Sequence, residues 1–343
     1  MAELLERLSH GPVICAEGYL FELERRGYLQ AGGFVPEVVL EHPEKVAELH
    51  REFVHAGSDV VEAFTYYAHR EKLRIIGRED VLEPLNRGAL AIARQVSEES
   101  GALFAGNVCN TNVWEDEGST GAVRAMFEEQ VAWAAEAGAD FVIGETFSWL
   151  DEALLATAVI KAAGLPAVVT LTMHRDGVTR EGTGPAEACR QLEAAGADVV
   201  GLNCSRGPQT MLPQLEEVRR AVRVPVAGLP VPYRTTERHP TMQSLEDPAA
   251  PDAALRTRPF PTGLDPFTCS RYEIADFTRR AQEIGVDYLG VCCGAAPHHI
   301  RAMAEALGRT PPASRYTADM SKHYALGTDA SLHAANRQYA ERL

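Results

Sequence analysis

The sequence predicts an α/β fold, a closed (β/α)8 TIM barrel, and three observations indicate it. One phrase recurs four times, as AGSDVVEAFTYY at 56–67, AGADFVIGETF at 137–147, AGADVVGLNCS at 195–205 and IGVDYLGVCCG at 284–294. Each copy follows a stretch of helical period, and its glycine and apolar run are typical of a helix end followed by a buried strand. Four more apolar runs alternate with these copies, at 11–18, 101–109, 165–173 and 224–231.

Eight strands and eight helices follow in strict alternation. The strands are predicted near 13–18, 59–66, 103–109, 140–146, 167–173, 198–204, 225–231 and 287–293. The helices are predicted at 36–56, 82–100, 121–138, 151–164, 185–196, 209–222, 270–285 and 296–307. A doubly wound open sheet is the alternative, but no GxGxxG turn follows the first strand.

Two stretches fall outside the repeat. Residues 232–269 are rich in Pro and Thr and form a long loop after strand 7, and such loops are usually functional or disordered. Residues 310–343 follow the last barrel helix as a short C-terminal extension. We therefore expect a barrel domain at 1–309 and an extension at 310–343.

Composition narrows the function classes. The net charge of −15 argues against a partner that is nucleic acid or an anionic membrane. Seven cysteines, an odd number in a long chain, favour metal binding or catalysis in a reducing cytoplasm over a disulfide framework. The N-terminal MAELLERLSHG lacks the apolar core of a signal peptide, so the expected location is cytoplasmic.

In this fold the active site is built where the strands end. The predicted strand ends carry Glu17, Tyr66, Tyr67, Cys109, Glu145, Cys204, Cys292 and Cys293. Strands 6 and 8 both end in cysteine, so three thiols converge on one side of the barrel mouth. Three thiolates select a soft borderline cation such as Zn²⁺ and leave one coordination position open, as in catalytic sites. The alternative is that these are buried free cysteines.

The motifs GLNC at 201–204 and GVCCG at 290–294 resemble the zinc signature of the homocysteine S-methyltransferase family. The run from FELERRGYLQAG to HAGSDVVEAFTYYA resembles the betaine–homocysteine subgroup more narrowly, and the resemblance covers roughly residues 4–310. It implies that Cys204, Cys292 and Cys293 hold Zn²⁺. It also implies transfer of a methyl group from an onium donor, glycine betaine or a relative, to the thiol of homocysteine, giving methionine.

The resemblance also assigns the substrate residues. Glu145 matches the family's acidic residue for the amino group of homocysteine, although a structural carboxylate is the alternative. Glu17 and Gly18 occupy the place of an Asp-Gly pair, with a one-residue shift. Glu145 and Glu17 are therefore the expected catalytic residues, and Gly18 is expected to approach the substrate through its backbone.

The methyl donor is less well defined. The subgroup's aromatic cage of Trp, Tyr and Tyr corresponds here to Phe34, Tyr67 and Thr146, so one ring is missing and one is a weaker cation binder. A betaine-type donor is one interpretation, with Tyr66, Phe147 or Trp149 replacing the lost ring. A sulfonium donor, dimethylsulfoniopropionate or S-methylmethionine, is the other.

Three other functions remain open from the residues. They are a zinc-dependent hydrolase or aldolase, a non-catalytic thiol redox barrel, and a methyltransferase module that feeds a separate cobalamin protein. The expected partners are homocysteine and an onium donor, with neither nucleic acid nor membrane. The expected assembly is a monomer or a homo-oligomer such as a dimer.

Overall fold

The computed structural model describes residues 2–343 and contains a closed barrel of eight parallel strands that pair in the order of the sequence. The predicted (β/α)8 architecture is confirmed. The strands are β1 Val13–Ala16, β2 Val60–Glu62, β3 Leu103–Cys109, β4 Phe141–Phe147, β5 Ala167–Leu171, β6 Val199–Asn203, β7 Val226–Leu229 and β8 Tyr288–Val291.

Helices surround the barrel, and each of the eight predicted ones is present. The helices are α1 Ala2–His10, α2 Tyr19–Arg25, α3 Val38–Glu41, α4 Pro43–Ala56, α5 Arg70–Ile76, α6 Leu82–Ser100, α7 Thr120–Ala137, α8 Leu150–Ala162, α9 Pro185–Ala194, α10 Pro208–Ala221, α11 Ala253–Thr257, α12 Arg271–Ile284, α13 Pro297–Ala306 and α14 Ala334–Tyr339. The helix predicted at 36–56 is divided into α3 and α4 because Pro43 starts a new helix.

Helix α1, which was not predicted, closes the N-terminal end of the barrel. Its Leu4 is buried in one cluster with Val13, Val60 and Leu103, the first residues of three strands. The Arg7 guanidinium also donates to the carbonyl of Gly101, just before β3. Helix α1 thus covers the end of the barrel at which the strands begin.

Several strands end earlier than predicted. β1 ends at Ala16, β2 at Glu62 and β8 at Val291, each two or more residues before the predicted limit. The polar and sulfur-bearing side chains that follow therefore lie on the first residues of loops. There the backbone is free of the regular strand register and can direct neighbouring side chains towards one point.

The loop at 232–269 is ordered and closes on itself at its base. Tyr233 forms an antiparallel bridge with Thr268, and the amide of Cys269 donates to the carbonyl of Pro232 over 2.8 Å. The loop contains α11 and covers part of the barrel mouth. Its position above the C-terminal strand ends makes it part of the site described below.

The C-terminal extension lies partly on the barrel. A 3-10 turn at Pro312–Tyr316 packs against α4 and α13, and α14 follows it. The boundary at 309/310 as a domain limit stays a prediction. Among the described residues, no helix combines the length and the apolar composition needed to cross a bilayer.

Candidate active site

Three cysteine sulfurs meet at the C-terminal end of the barrel. Cys204 follows β6 directly, and Cys292 and Cys293 follow β8. The Sγ atoms of Cys204 and Cys293 lie 3.9 Å apart, those of Cys292 and Cys293 lie 4.0 Å apart, and all three lie within 4.8 Å of one another. The structure thus brings together the three predicted metal ligands.

The sulfur spacing fits a zinc ion. Zn–S bonds of about 2.3 Å at tetrahedral angles separate their sulfurs by about 3.8 Å. The observed separations of 3.9 and 4.0 Å come close to this value. A disulfide needs an S–S bond near 2.05 Å, and all of the described cysteines are free.

The backbone is shaped to hold these sulfurs. Cys204 has φ 58° and Ser205 has φ 59°, left-handed values that side-chain-bearing residues adopt at a cost. Gly294 has φ 95°, and a Cβ there would meet the Tyr233 ring, with the hydroxyl at 2.4 Å. A glycine is therefore required directly after the cysteine pair, and Tyr233 from the long loop packs against it.

The three thiols of the cluster differ in the direction in which their pKa is shifted. Hydrogen bonds from the thiols of Cys292 and Cys293 hold the pKa of Cys204 well below its usual value. The same contacts with Cys204, together with burial, raise the pKa of Cys292 and of Cys293. Cys204 is thus the first of the three to become a thiolate.

A network of carboxylates and amides adjoins the sulfurs. The Nδ2 atom of Asn203 donates to Oε2 of Glu145 over 2.7 Å and to Oε2 of Glu17 over 3.2 Å. One carboxylate oxygen each from Glu17 and Glu145 lies within 4.8 Å of the Cys292 sulfur. Both predicted carboxylates therefore face the sulfur cluster.

Burial governs the ionisation of these carboxylates. It raises the pKa of Glu145 to about 7, against hydrogen bonds from Asn107, Thr146 and Asn203 that lower it. It raises the pKa of Glu17 well above the usual value, with the charge of Glu145 acting in the same direction. A cation placed between the two carboxylates would restore their charged forms.

Gly18 has a packing role in this structure. A Cβ on Gly18 would lie 2.4 Å from the Cβ of Ala295, two residues after the cysteine pair. The absence of a side chain therefore lets the β1 loop and the β8 loop touch. The expected close approach of its backbone to a substrate stays a prediction.

Sequence reasoning missed three polar members of the network. Glu62, Asn107 and Asn203 are all buried at the barrel mouth. Nδ2 of Asn107 donates to Oε1 of Glu62 over 2.6 Å and to Oε1 of Glu145 over 2.8 Å. Each of these residues interrupts or ends an apolar strand. A polar residue in an apolar run is therefore the sequence signal by which they could have been found.

A cavity of about 300 Å³ opens beside the sulfurs. Cys204 and Cys293 line it, together with the three predicted donor-pocket residues Phe34, Tyr67 and Thr146. Thr146 belongs to the end of β4, and the other four residues come from the segments that follow β1, β2, β6 and β8. The structure places the candidate donor residues next to the candidate metal.

Five aromatic rings line this cavity, namely Phe21, Phe34, Phe260, Tyr66 and Tyr67. Strand alternation would direct one of the two tyrosines outward, and that expectation is wrong. β2 ends at Glu62 and Tyr67 has φ 63°, so the period of a strand does not apply at residues 66 and 67.

The expected substitutes for the missing ring are partly different residues. Phe147 is fully buried and packs on Phe127 instead of lining the cavity. Phe21 stacks on Phe34 with centroids 5.7 Å apart, and Phe260 comes from the long loop. The sequence gives no local signal for Phe260, because its position depends on how the loop folds back.

Basic side chains border the ring cluster. The Arg180 guanidinium lies 4.8 Å from the Trp149 ring centroid at the cavity edge. The part of the chain whose side chains are described places no carboxylate within salt-bridge distance of Arg180. Lys72 Nζ lies 3.9 Å from the Tyr67 ring centroid and occupies one face of that ring.

Left-handed backbone is concentrated at this cavity. Among the described residues, six that are not glycine have positive φ, namely Phe34, Tyr67, Asn112, Thr146, Cys204 and Ser205. All but Ser205 line the cavity. Each such residue costs roughly 1–3 kcal/mol, and this kind of strain is typical of functional sites.

Other cysteines lie apart from the sulfur cluster. Cys109 accepts a hydrogen bond from the amide of Tyr67 at 3.3 Å, and burial raises its pKa well above the usual value. Cys189 is fully buried beneath β6, and Cys269 lies in the base of the long loop. Cys15 lies inside the barrel near Glu17 and Glu62.

With this geometry in place, comparison with known proteins is decisive. The sequence profile of the family described as Homocysteine S-methyltransferase matches residues 14–307, which is nearly the whole barrel. The chain belongs to the homocysteine S-methyltransferase family. The predicted family and enzyme class are confirmed, and the hydrolase, aldolase and redox alternatives receive no support.

Two relatives of this family member differ in their named donor. Betaine–homocysteine S-methyltransferase 1 of Mus musculus is 35% identical, over 96% of this chain and 80% of that protein. S-methylmethionine–homocysteine S-methyltransferase BHMT2 of Mus musculus is 34% identical, over 99% of this chain and 92% of that protein. Both donors that the sequence left open thus occur among relatives of this homocysteine S-methyltransferase family member.

A solved structure shares the fold of this family member. The metallated form of the homocysteine methyltransferase MmuM from Escherichia coli superimposes with a TM-score of 0.68, over 89% of this chain and 99% of that one. The sequence identity is 19%, so the likeness concerns the fold. In this chain the spacing of the Cys204, Cys292 and Cys293 sulfurs is what makes the cluster able to hold a metal ion.

Proposed function

We propose that this enzyme transfers a methyl group from a carboxylate-bearing onium compound to homocysteine, producing methionine. The observation that carries the proposal is the position of Cys204, Cys292 and Cys293 between two different groups of residues. On one side of the cysteines lie the buried carboxylates Glu17 and Glu145, and on the other lies a ring-lined cavity. An amino thiol and an onium cation fit these two sides.

Zn²⁺ is the proposed ion, held by Cys204, Cys292 and Cys293. When bound there, it supplies the charge that keeps the homocysteine thiol deprotonated near neutral pH. Cys204, Cys292 and Cys293 leave one coordination position for that sulfur. The low pKa of Cys204 favours ion binding, because a thiolate is the ligand form.

The chain's own residues orient homocysteine. Glu17 and Glu145 accept hydrogen bonds from its ammonium group, and Asn203 fixes the direction of both carboxylates. One oxygen of each carboxylate lies within 4.8 Å of the Cys292 sulfur, and this proximity supports binding of the ammonium and the thiol of one homocysteine. Gly18 is proposed to contact the same substrate through its backbone.

The transfer itself needs positioning more than acid–base chemistry. A bond forms between the homocysteine sulfur and the methyl carbon, while the bond from that carbon to the onium atom breaks. The electron pair leaves with the donor, which becomes a neutral tertiary amine or sulfide. The thiol proton has already passed to solvent. No covalent bond to the protein is formed, so alignment of the two substrates supplies the acceleration.

The ring-lined cavity is the proposed donor site. Phe34 and Tyr67 present aromatic faces to an onium group, and Phe21, Phe260 and Tyr66 complete the ring set. Arg180, without a carboxylate partner among the described side chains, pairs with the carboxylate of the donor. Glycine betaine combines both features and is the donor we propose.

A sulfonium donor is the second candidate. Thr146 stands at the third cage position, where its Oγ1 donates to Glu145 over 3.1 Å and presents no ring. A sulfonium has three substituents instead of four and needs fewer rings around it. Dimethylsulfoniopropionate and S-methylmethionine each carry a carboxylate for Arg180 and fit this reduced cage.

A donor panel tests the proposal. Zinc-loaded enzyme is offered homocysteine with glycine betaine, dimethylsulfoniopropionate, S-methylmethionine or S-adenosylmethionine, and methionine is measured. We expect glycine betaine to give the highest kcat/KM. A sulfonium ranking first would establish the second candidate, and no methionine from any donor would refute the function. The cytoplasmic location and the monomeric or dimeric assembly stay predictions.

A further inference from the structure

We propose that Glu62 and Asn107 bind the ammonium group of homocysteine and select amino thiols over thiols without an amino group. The inference rests on the proposed function and extends its substrate site to β2 and β3. Neither residue follows from the matched motifs of the sulfur and Glu145 segments. The inference rests on the hydrogen bonds that Glu62 and Asn107 make and on their buried acceptor atoms that have no hydrogen-bond partner among the described residues.

Each side-chain amide of the network donates to two carboxylates, and Asn203 also donates to the hydroxyl of Thr146 over 2.9 Å. Asn107 donates to Glu62 and Glu145, and Asn203 donates to Glu145 and Glu17. Each of the two amide groups thus bridges a pair of glutamates. Glu145 sits in the middle and receives both amides, with one on each of its oxygens.

Three acceptors remain without a partner among the described residues. They are Oε1 of Glu17, Oε2 of Glu62 and Oδ1 of Asn107, and all three atoms are buried. The parent side chains are 7%, 2% and 4% exposed, so solvent does not satisfy them. A buried unpaired acceptor costs about 1–3 kcal/mol, which calls for a ligand that donates several hydrogen bonds.

A small cavity lies where these acceptors meet. Glu17, Glu62, Asn107 and Glu145 line it together with the Cys292 and Cys293 sulfurs, and its volume is about 20 Å³. That is room for about one water-sized group. The head of a primary ammonium has this size, and a quaternary ammonium is far too large.

The chemistry of the ligand follows from the acceptor set. An alkylammonium has three N–H donors and one positive charge, matching three unpaired acceptors beside three carboxylates. A water molecule donates only two hydrogen bonds and carries no charge to balance the glutamates.

The location links this cavity to the sulfur of the same substrate. The cavity is lined by Cys292 and Cys293, which the substrate thiol must approach. A homocysteine whose sulfur faces the three cysteines therefore places its amino group among Glu17, Glu62 and Asn107. Glu62 and Asn107 thus act on substrate selection.

The test compares two thiols by isothermal titration calorimetry on the zinc-loaded enzyme. Homocysteine is the amino thiol, and 4-mercaptobutanoate has the same thiol and carboxylate but no amino group. In Glu62→Gln, an N–H₂ group replaces an acceptor and repels the ammonium. We expect homocysteine affinity to fall about 10- to 100-fold, while 4-mercaptobutanoate affinity changes less than about threefold.

Two further variants keep the test decisive if Glu62→Gln folds poorly, as judged by thermal melting and zinc content. Asn107→Ala removes one acceptor and the bridge to Glu62, and we expect the same selective loss. Glu62→Asp keeps the charge on a shorter side chain and should lose less homocysteine affinity than Glu62→Gln. Glu283→Gln, an exposed carboxylate on α12, is the matched control.

Two outcomes would overturn the inference. One is an equal loss of affinity for both thiols, which assigns Glu62 a structural role. The other is unchanged binding of homocysteine in Glu62→Gln and Asn107→Ala alike. Failure of the proposed function is distinguishable, because it appears as absent methionine from every donor while the amino-dependent binding of homocysteine persists.

Discussion

The amide of Asn203 donates to Glu145 over 2.7 Å, and the next residue in the chain is Cys204. One two-residue segment at the end of β6 therefore holds both a proposed metal ligand and the residue that orients the carboxylate proposed to bind the amino group. The side-chain Oδ1 of Asn203 also accepts from the backbone amide of Thr146 over 3.0 Å. A shift of β6 would move both ends of homocysteine together.

Replacing Asn203 with alanine should weaken homocysteine binding more than it weakens the metal site. The change removes the one described side-chain donor to Glu17 and one of the donors to Glu145, so we expect about tenfold lower affinity and a loss of about 1–3 kcal/mol in unfolding free energy. Asn86→Ala, a buried asparagine away from the site, should lose stability and keep homocysteine affinity. Calorimetry and urea denaturation measure the two effects. Equal affinity loss in both variants would contradict the assignment.

Replacing Cys204 with serine should remove the metal. The ion loses the ligand that deprotonates first, so zinc affinity should fall by at least about tenfold, and methionine formation should fall with it. Cys189→Ala removes a buried sulfur far from the cluster and should keep one zinc per chain. The measurement is the zinc content per chain of both variants after dialysis against a chelator. Full zinc retention in Cys204→Ser would show that the cluster is not the site.

Replacing Arg180 with glutamine should raise KM for the methyl donor by about tenfold, since a charge-assisted hydrogen bond is lost. KM for homocysteine should stay the same, because Arg180 borders the donor cavity and not the carboxylate network. Tetramethylammonium, an onium without a carboxylate, serves as a competitive inhibitor. Its inhibition constant should not rise in the variant. A parallel rise would mean that Arg180 supports the cavity instead of the carboxylate.

Replacing Tyr67 with alanine should weaken an onium donor by roughly two- to thirtyfold, the range of one cation–π contact. Phe34→Ala should act in the same direction, because both rings line the cavity. Tyr272→Ala removes a ring that is 72% exposed and should leave donor KM unchanged. Steady-state kinetics with varied donor provides the measurement. If both cavity variants resemble Tyr272→Ala, the donor binds elsewhere.

Acid should destabilise the fold through His50. Burial lowers the pKa of His50 to about 3, and both ring nitrogens lack a partner among the described residues. The unfolded histidine titrates near pH 6.5, so unfolding takes up a proton between pH 6.5 and 3, and stability falls as the pH falls through that window. From pH 7 to 5 we expect the wild type to lose about 2 kcal/mol more than His50→Leu. Urea denaturation of both proteins at pH 7 and pH 5 measures this difference. An equal loss of unfolding free energy in the wild type and in His50→Leu would contradict the prediction.

The repeat of Gly-x-Asp and an apolar run predicted four strands, and four further apolar runs predicted the others, because strands buried on both faces are uniformly hydrophobic. The thiol cluster could be predicted because the strand order puts β6 and β8 on one side of the barrel. Helix α1 was missed because it is short and mixes charged residues with its leucines, and only Leu4 and its neighbours face the barrel. Charge patterning alone does not reveal which face a short helix buries.

Only part of the carboxylate network could be predicted from the sequence, because the position of Glu62 depends on where β2 ends. Glu17 and Glu145 stand at recognisable strand ends, whereas Glu62 was taken as one residue within a longer strand. The early end of β2 decides its position, and with it the positions of Tyr66 and Tyr67. Such a strand end depends on loop packing at the mouth, which involves residues distant in sequence such as Phe260.

The seal formed by α1 has a practical consequence for attaching the enzyme to a surface. The N-terminal helix covers the end of the barrel opposite the sulfur cluster, with Leu4 among the first residues of the strands. A linker joined before α1 would present the open mouth to the bulk solution. An electrode or bead carrying the protein in this orientation would leave the path of both substrates unobstructed, whereas attachment through side chains of the 232–269 loop would face the mouth towards the support.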